Sequence, residues 1–326
     1  MIQKTLKTKT QSNNAGFTLI ELAVVLVIIS VLAAITMGAG SKLIKWQKDT
    51  ETKNNLNTLQ NGLQQIYQSS AWVMDSSASN TVSFNVLGTT YTLSTGSSAT
   101  AQNQAALGAI AQYAGGAFSM AAHDAMNENY QIYVTPRLID NTTGAQFHSI
   151  GIVSPGWDGK IGSIWNSTTG ILTVQGDDEG IYVSGLQYEA ANIIAAKTML
   201  YGIRDAYQNY FTSLYLADSN RNVYVDRFAF TNTSCASDAY WDSTSGVKNS
   251  ACTAPSNTAD NTGLTNTLGY SPTSVTTPWG REILVDNSSN STRNPNSTGV
   301  ILPYTARLSA ELPWGGTLDV TVNGAY

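Results

Sequence analysis

The feature that most constrains this chain is an apolar run from Phe17 to Met37 that carries one ionisable side chain, Glu21. At about 1.5 Å per residue, a helix of this length spans roughly 30 Å, the thickness of a bilayer's hydrocarbon core. A carboxylate within such a helix costs about 2.5–3.5 kcal/mol on insertion scales, so we expect Glu21 to have a specific use. We interpret residues 17–40 as a membrane-spanning helix. Gly38 and Gly40 leave open a break before the next helical stretch.

Lysines lie on both sides of the apolar run. Lys4, Lys7 and Lys9 precede it, and no acidic residue lies among them. Lysines beside a membrane segment tend to stay in the cytoplasm, which favours a single pass with a cytoplasmic N-terminus. Further lysines follow the run between residues 42 and 48, so the charge signal is not one-sided.

The residues at the start of the run stand in an unusual order. A secretory signal has its cleavage site after the apolar stretch, whereas here Gly16 stands directly before it, in the letters GFTLIE. This order resembles the type IV prepilin family, which includes the type II secretion pseudopilins, and the resemblance is confined to the N-terminal helix. It implies cleavage after Gly16 by a prepilin peptidase and N-methylation of Phe17. It also implies storage of the helix in the bacterial inner membrane, followed by packing into a periplasmic or extracellular filament.

The chemistry of this cleavage suggests a role for Glu21. Cleavage leaves a cation at the nitrogen of Phe17, and in a neighbouring subunit shifted by one step that amine would meet the Glu21 carboxylate. Opposite charges attract strongly in a low-dielectric core, although desolvation offsets much of the gain. We therefore predict that Glu21 sets the register of each added subunit. The alternative is an ordinary membrane anchor with an incidental acid.

The composition of the remaining chain favours an exported body rich in strands and loops. Charged residues make up 12%, about half the ~25% of typical domains. Loss of the three leader lysines changes the formal net charge from −5 to −8, which argues against a nucleic-acid partner. The sequence has no G-x-S-x-G, H-E-x-x-H or phosphate-binding glycine motif, and we therefore predict no enzymatic activity.

Hydrophobic periodicity predicts two long helices, each followed by strands. An apolar stripe predicts that the first helix continues to about Ser70, and a second stripe predicts an amphipathic helix over residues 186–216. Segments that alternate apolar and polar residues follow each helix, among them residues 222–230, and an Ala-rich stretch at 101–126 predicts one or two short helices. We expect an α+β fold in which a long N-terminal hydrophobic helix packs on an antiparallel sheet, as in pilins.

Two segments recur in the same order along the chain. The alignments pair residues 58–69 with 198–209, and residues 135–141 with 277–287. They predict that a helix-plus-sheet, pilin-like module occurs twice. The predicted divisions are a leader at 1–16, the membrane or filament-core helix at 17–40, a first module at 41–185 and a second module at 186–326. The alternative is one pilin-like body with a long unrelated insertion.

The only cysteines of the chain are Cys235 and Cys252, in the second of these modules. An even cysteine count in an exported protein predicts a disulfide. Closing a loop of this length stabilises a fold by roughly 3 kcal/mol in the chain-entropy model. Two free thiols are the alternative.

Acidic residues in two glycine-containing loops are a candidate calcium site. Asp158 lies in one loop, and Asp177, Asp178 and Glu179 lie in the other. The two loops would converge if they flank a hairpin, and calcium prefers six to eight carboxylate and carbonyl oxygens. Type II secretion pseudopilins are similar in having a calcium site in a loop. The alternative is two solvated turns, and we expect no other cofactor.

The resemblance implies a structural subunit, a minor pilin or pseudopilin of a type IV pilus-like or type II secretion filament. Its partners would be the prepilin peptidase/methyltransferase, other pilin or pseudopilin subunits and the inner membrane. The large mature chain favours a minor component, because large bodies crowd a helical filament. The alternative is an adhesin displayed at a filament tip, whose second domain contacts a surface or receptor.

Overall fold

The structure is a computed structural model that describes residues 19–116, 122–225, 227–228, 241–242, 247–248, 268–286 and 303–325. The chain divides into two compact units, residues 1–51 and residues 52–326. The described helices are α1 (Leu19–Met74), α2 (Ala101–Tyr113) and α3 (Leu186–Ala217), with a 3₁₀-helix at Pro272–Val275. The described strands are β1 (Thr81–Val86), β2 (Thr89–Ser94), β3 (Gly96–Ser97), β4 (Gln131–Val134), β5 (Leu138–Ile139), β6 (Gln146–Phe147), β7 (Ser149–Ser154), β8 (Ile164–Asn166), β9 (Ile171–Thr173), β10 (Glu179–Ser184), β11 (Trp241–Asp242), β12 (Val247–Lys248), β13 (Leu284–Asp286), β14 (Thr305–Glu311) and β15 (Thr317–Asn323).

The first unit contains the N-terminal part of α1. The helix continues through Gly38 and Gly40, so the break that these glycines left open does not occur. Its large apolar side chains from Leu19 to Leu32 are exposed in the single chain. Within the described residues, no helix is both long enough and apolar enough to cross a membrane.

In the second unit, the later part of α1 packs on an antiparallel sheet. The predicted stripe, Leu56, Leu59, Leu63 and Ile66, is buried in one hydrophobic cluster with side chains of β1, β4, β7 and β10. That sheet has the strand order β10-β7-β4-β3, and each neighbouring pair is antiparallel. The helix ends at Met74, slightly later than predicted, and leaves helical geometry once near its end.

Helix α3 packs on a second antiparallel sheet, of order β13-β14-β15. Its buried side chains recur at helical spacing, and those from Leu200 onward belong to a separate hydrophobic cluster that includes Ile203, Tyr207, Leu308 and Val322. The predicted range of this helix is confirmed almost to the residue. A third, smaller cluster contains Ala71 of α1, side chains of α3 and Trp279.

The predicted α+β class with antiparallel sheets is confirmed, and one local prediction is corrected. The strand predicted at residues 222–230 is wrong for the described residues, where Val223 to Val225 form a turn and a bend. The Arg227 guanidinium donates to the carbonyls of Asn222 and Val225 and pairs with Asp218, and these local bonds replace a strand ladder. In the Ala-rich stretch the described residues contain one helix, α2, which ends before Gly115 at φ +79°.

Candidate functional site

The predicted processing residues, Gly16 and Phe17, lie outside the described residues. Glu21 is described, and it is exposed in the first turn of α1. The assembly role of Glu21 stays a prediction.

The apolar side chains on both sides of Glu21, from Leu19 to Leu32, expose an extended hydrophobic face. Leu19 is 88% exposed and Leu32 is 56% exposed, and the large side chains between them are exposed as well. Monomeric soluble proteins rarely expose apolar patches larger than a few hundred Å², because such patches favour association with lipid or protein. This face is therefore expected to be covered by lipid or by another protein surface.

The acidic loops do come together, as predicted, through hydrogen bonds to the backbone. Asp177 Oδ2 accepts from the amides of Trp157 (2.8 Å) and Asp158 (3.3 Å). Asp178 Oδ2 accepts from the Gly162 amide (2.8 Å) and from both the amide and the hydroxyl of Ser163 (2.7 Å each). These carboxylates close the two loops on each other.

The same loops give an incomplete ligand set for calcium. Glu179 forms an ion pair with Lys53, with Nζ and Oε1 3.0 Å apart. Asp178 Oδ1 is buried without a hydrogen-bond partner, which is the condition of an oxygen that a cation would satisfy. However, in the described part of the chain no group of three or more His, Cys, Asp or Glu residues is placed to hold a metal. The calcium site therefore stays a prediction.

The predicted disulfide cannot be placed in this geometry. Cys235 and Cys252 both lie outside the described residues. The short strands β11 and β12 fall between them in the sequence and pair with each other, Trp241 opposite Lys248. The pairing of the two cysteines stays a prediction.

A buried pair of carboxyl groups is the most unusual polar feature of the described residues, and sequence reasoning missed it. Asp75 directly follows the end of α1, and Glu189 lies in the first turn of α3; both are fully buried. Asp75 Oδ1 accepts from the His148 amide (2.9 Å), and Glu189 Oε2 accepts from Trp279 Nε1 (2.7 Å). The other oxygen of each is buried without a hydrogen-bond partner, and the two carboxyl groups are close enough to shift each other's pKa. One proton shared between these two oxygens would give each of them a hydrogen-bond partner.

Burial determines the protonation of this pair. Desolvation raises the pKa of Asp75 well above its usual value, and the negative charge of Glu189 raises it further. Desolvation also raises the pKa of Glu189 to about 7, against the lowering effect of the Trp279 hydrogen bond. Because two adjacent buried carboxylates repel strongly, the pair retains a proton near neutral pH.

Other titratable groups surround the pair. Tyr67 is fully buried, its hydroxyl donates to the His148 carbonyl (2.9 Å), and its pKa is raised by desolvation. Burial lowers the pKa of His148, whose ring nitrogens lie 2.8 Å from the Thr135 carbonyl and 3.0 Å from that of Ser77. Arg137 lowers the pKa of Asp75 through its charge. This network ties the end of α1 to the start of α3 and to the turn that carries Trp279.

One sequence signal could have indicated half of this pair. Glu189 lies four residues before Ile193 and seven before Ala196, on the apolar stripe of α3. An acid on the buried face of a helix needs a buried partner. No comparable pattern identifies Asp75, which follows a helix end.

Comparison with known protein families matches residues 11–37 to the prokaryotic N-terminal methylation motif. The chain carries the type IV prepilin-like signal, and the predicted resemblance is confirmed. This signal marks a membrane-anchored, pilin-like precursor; it implies processing by a prepilin peptidase and assembly with other pilins, and its bearers are generally non-enzymatic. Neither the curated proteins nor the solved structures contain a significant match to the chain.

Proposed function

We propose that this protein is a minor pilin or pseudopilin, a structural subunit of a type IV pilus-like or type II secretion filament. The observation that carries the proposal is the methylation motif at residues 11–37, which leads directly into the exposed apolar face of α1. A leader that precedes an apolar helix leaves that helix in the mature chain after cleavage. The helix is then available for lateral packing.

The proposed cycle has two environments for this face. After cleavage at Gly16 and methylation of Phe17, residues 17–40 are held in the inner membrane, where lipid covers the apolar side chains. On assembly the same side chains exchange lipid for the equivalent helices of neighbouring subunits. Because lipid tails and leucine side chains are about equally apolar, the exchange has little hydrophobic driving force. A charged contact such as Glu21 with the Phe17 amine then decides the register.

We include in the proposal two pilin-like modules, residues 41–185 and 186–326. The support is a correspondence between Tyr67 on α1 and Tyr207 on α3, which align in the sequence repeat. Both are fully buried, and each hydroxyl donates to a backbone carbonyl, that of His148 and that of Phe228 respectively. Leu63 and Ile203, four residues earlier, are buried in the separate hydrophobic clusters of the two helices.

The experiment that tests the filament role compares Glu21→Ala and Glu21→Gln with wild type in the native host. We expect both variants to be cleaved normally and to enter the membrane at least as well, because the cost of the charge is gone. We expect each to be depleted from sheared filaments, because neither can pair with the amine. Immunoblots of the two fractions give the ratio of assembled to membrane-held protein.

The matched control is Ser30→Ala, which changes another exposed polar side chain of the same helix. The Ser30 hydroxyl donates only to the Val27 carbonyl within the helix (2.8 Å), so its loss is expected to leave assembly unchanged. Incorporation of both Glu21 variants at the wild-type level would refute the register role. Depletion of Glu21→Ala alone would assign the effect to side-chain shape.

A further inference from the structure

Three arginines among the described residues lie over aromatic rings, and one of them differs from the other two. The Arg204 guanidinium is 4.8 Å from the Tyr201 ring centre, Arg227 is 5.4 Å from that of Tyr215, and Arg281 is 4.3 Å from that of Trp72. Stacking on a ring leaves the edge of the guanidinium plane open for in-plane hydrogen bonds.

In the first two cases a carboxylate occupies that edge. Arg204 pairs with Asp205 (2.7 Å) and Arg227 with Asp218 (2.6 Å). Within the described part of the chain, no carboxylate lies within ion-pair distance of Arg281, although it has the closest stacking of the three. The Arg281 guanidinium is thus held over the Trp72 ring, and no carboxylate among the described residues pairs with it.

Arg281 lines a groove of about 380 Å³, which lies within the range of small-molecule sites, about 300–1,000 Å³. One wall is the end of α1 around Gln68 and Trp72, and the other is the turn that contains Trp279 and Arg281. Asn85 of β1 also lines it, and Arg281 is its only charged lining residue. We call this site the Trp72–Arg281 groove.

The wall of the Trp72–Arg281 groove that carries Arg281 is held in place by the fold. In the turn, the Thr277 amide donates to the Arg281 carbonyl (2.6 Å), and the Gly280 amide donates to the Thr277 carbonyl (2.8 Å). Trp279 is buried and held by its bond to Glu189. On the other wall, α1 leaves helical geometry at Ser70 (φ −135°, ψ 22°). Because the turn with Arg281 is already ordered, little conformational entropy is lost there when a ligand binds.

The polar side chains of the groove are suited to hydroxyl groups as well as to an anion. The Asn85 Oδ1 atom accepts from the Thr90 hydroxyl (2.7 Å), which leaves the amide nitrogen directed to other partners. Gln68 contributes a second amide. Ser69 also lines the groove, but its hydroxyl already donates to the Ile66 carbonyl (3.3 Å) and accepts from the Tyr113 hydroxyl (3.1 Å). Amides and hydroxyls bind sugar hydroxyls, aromatic rings contact the apolar faces of sugars, and arginine binds a carboxylate in a bidentate manner.

We infer that the Trp72–Arg281 groove binds a carboxylate-bearing sugar, with Arg281 as the carboxylate ligand. The groove is open rather than enclosed, so a residue within an acidic polysaccharide fits the inference as well as a free sugar acid does. The chain is acidic as a whole, with a formal net charge of −5, so an anionic ligand has to be drawn by this local cation. The inference does not depend on filament assembly.

The test is calorimetric titration of the full chain in detergent micelles with three probes: a galacturonic acid trimer, the neutral galactose trimer and a triglutamate peptide. We expect the acidic sugar to bind and the other two to bind at least about tenfold more weakly, because each lacks either the carboxylate or the sugar hydroxyls. Added salt should weaken the binding of the acidic sugar.

The variants are Arg281→Gln, Arg281→Lys and Trp72→Ala, with Arg204→Gln as the control. Arg281→Gln should weaken binding about 10- to 100-fold, and Arg281→Lys less so, because lysine retains the charge without the fork. Arg204→Gln removes another arginine that lies over an aromatic ring but already has its carboxylate, so this variant should bind the acidic sugar as wild type does. Equal binding of acidic and neutral sugars, equal binding of triglutamate, or no heat with any probe would each overturn the inference. These comparisons use the wild-type protein and do not depend on whether a variant folds.

Discussion

The indole nitrogen of Trp279 donates a hydrogen bond to the buried carboxyl of Glu189, with 2.7 Å between Nε1 and Oε2. This bond joins the first turn of α3 to a turn ninety residues later in the chain. Glu189 also interacts with Asp75, which directly follows the end of α1. The protonation of the Asp75–Glu189 pair therefore affects the contacts among the end of α1, the start of α3 and the turn that carries Trp279.

The first prediction concerns the pH dependence of stability. Both carboxyls have raised pKa values, so between pH 4.5 and about 7 the folded chain binds more protons than the unfolded chain. The stability that Glu189 contributes is therefore present below pH 4.5 and is lost as the pH rises through about 7, by an amount on the order of 3 kcal/mol. Urea denaturation of wild type and Glu189→Gln from pH 5 to 8 measures the difference.

Glu189→Gln is informative because its amide supplies the donor that Asp75 lacks while its carbonyl still accepts from Trp279. We expect the variant to lose stability less steeply with rising pH than wild type. His148 acts in the opposite direction, since its lowered pKa reduces stability as the pH falls, and the comparison cancels this effect. Asp205→Asn, at an exposed ion pair, is the control. Parallel pH curves for wild type and Glu189→Gln would mean that the pair is not proton-linked to folding.

The second prediction uses the two aligned tyrosines. Tyr67→Phe removes one of the two donors to the His148 carbonyl, which keeps the Gly185 amide, and Tyr207→Phe removes the hydroxyl that donates to the Phe228 carbonyl. Each variant should lower the free energy of unfolding by about 1 kcal/mol. If the two lie in independent modules, the double variant should show the sum within about 0.5 kcal/mol. Tyr182→Phe, at an exposed tyrosine, should have little effect. A strongly non-additive double variant would favour a single body with an insertion.

The third prediction tests calcium at the acidic loops. Asp158 is the most suitable residue to change, because its Oδ1 accepts only from the nearby Lys160 amide (2.8 Å). If calcium binds, the melting temperature should rise in millimolar calcium but not in magnesium, and Asp158→Asn should reduce that rise without altering stability in chelator. Identical melting in calcium and in chelator would leave these loops as closed turns.

The helices and most strands were predictable from sequence because their pattern is local. The apolar stripe of α3 predicts a helix and the alternation in β15 predicts a strand with one buried face, and the structure shows both. Residues 222–230 also alternate, but the Asp218–Arg227 pair and its carbonyl contacts stabilise a turn there. The hydrogen bonds of Arg227 therefore determine the conformation here, and the alternation of apolar and polar residues gives no sign of them.

The candidate sites divide in the same way. The GFTLIE signal is a contiguous motif and could be read directly, as the match to residues 11–37 confirms. The Asp75–Glu189 pair and the Trp72–Arg281 groove each join side chains far apart in the sequence. The pair is defined by its burial, and the groove by the absence of a carboxylate near Arg281 among the described residues. The spacing of residues along the sequence predicts neither of these features.

The central claim is that the chain matures as a pilin-like subunit, and the identity of its N-terminal residue tests this most directly. Mass spectrometry of the protein purified from its host membrane or filaments should find N-methylated Phe17 as the first residue. Gly16→Glu should retain the leader, with its three lysines. A mature protein that still begins at Met1, or one cut after the apolar run, would contradict the account.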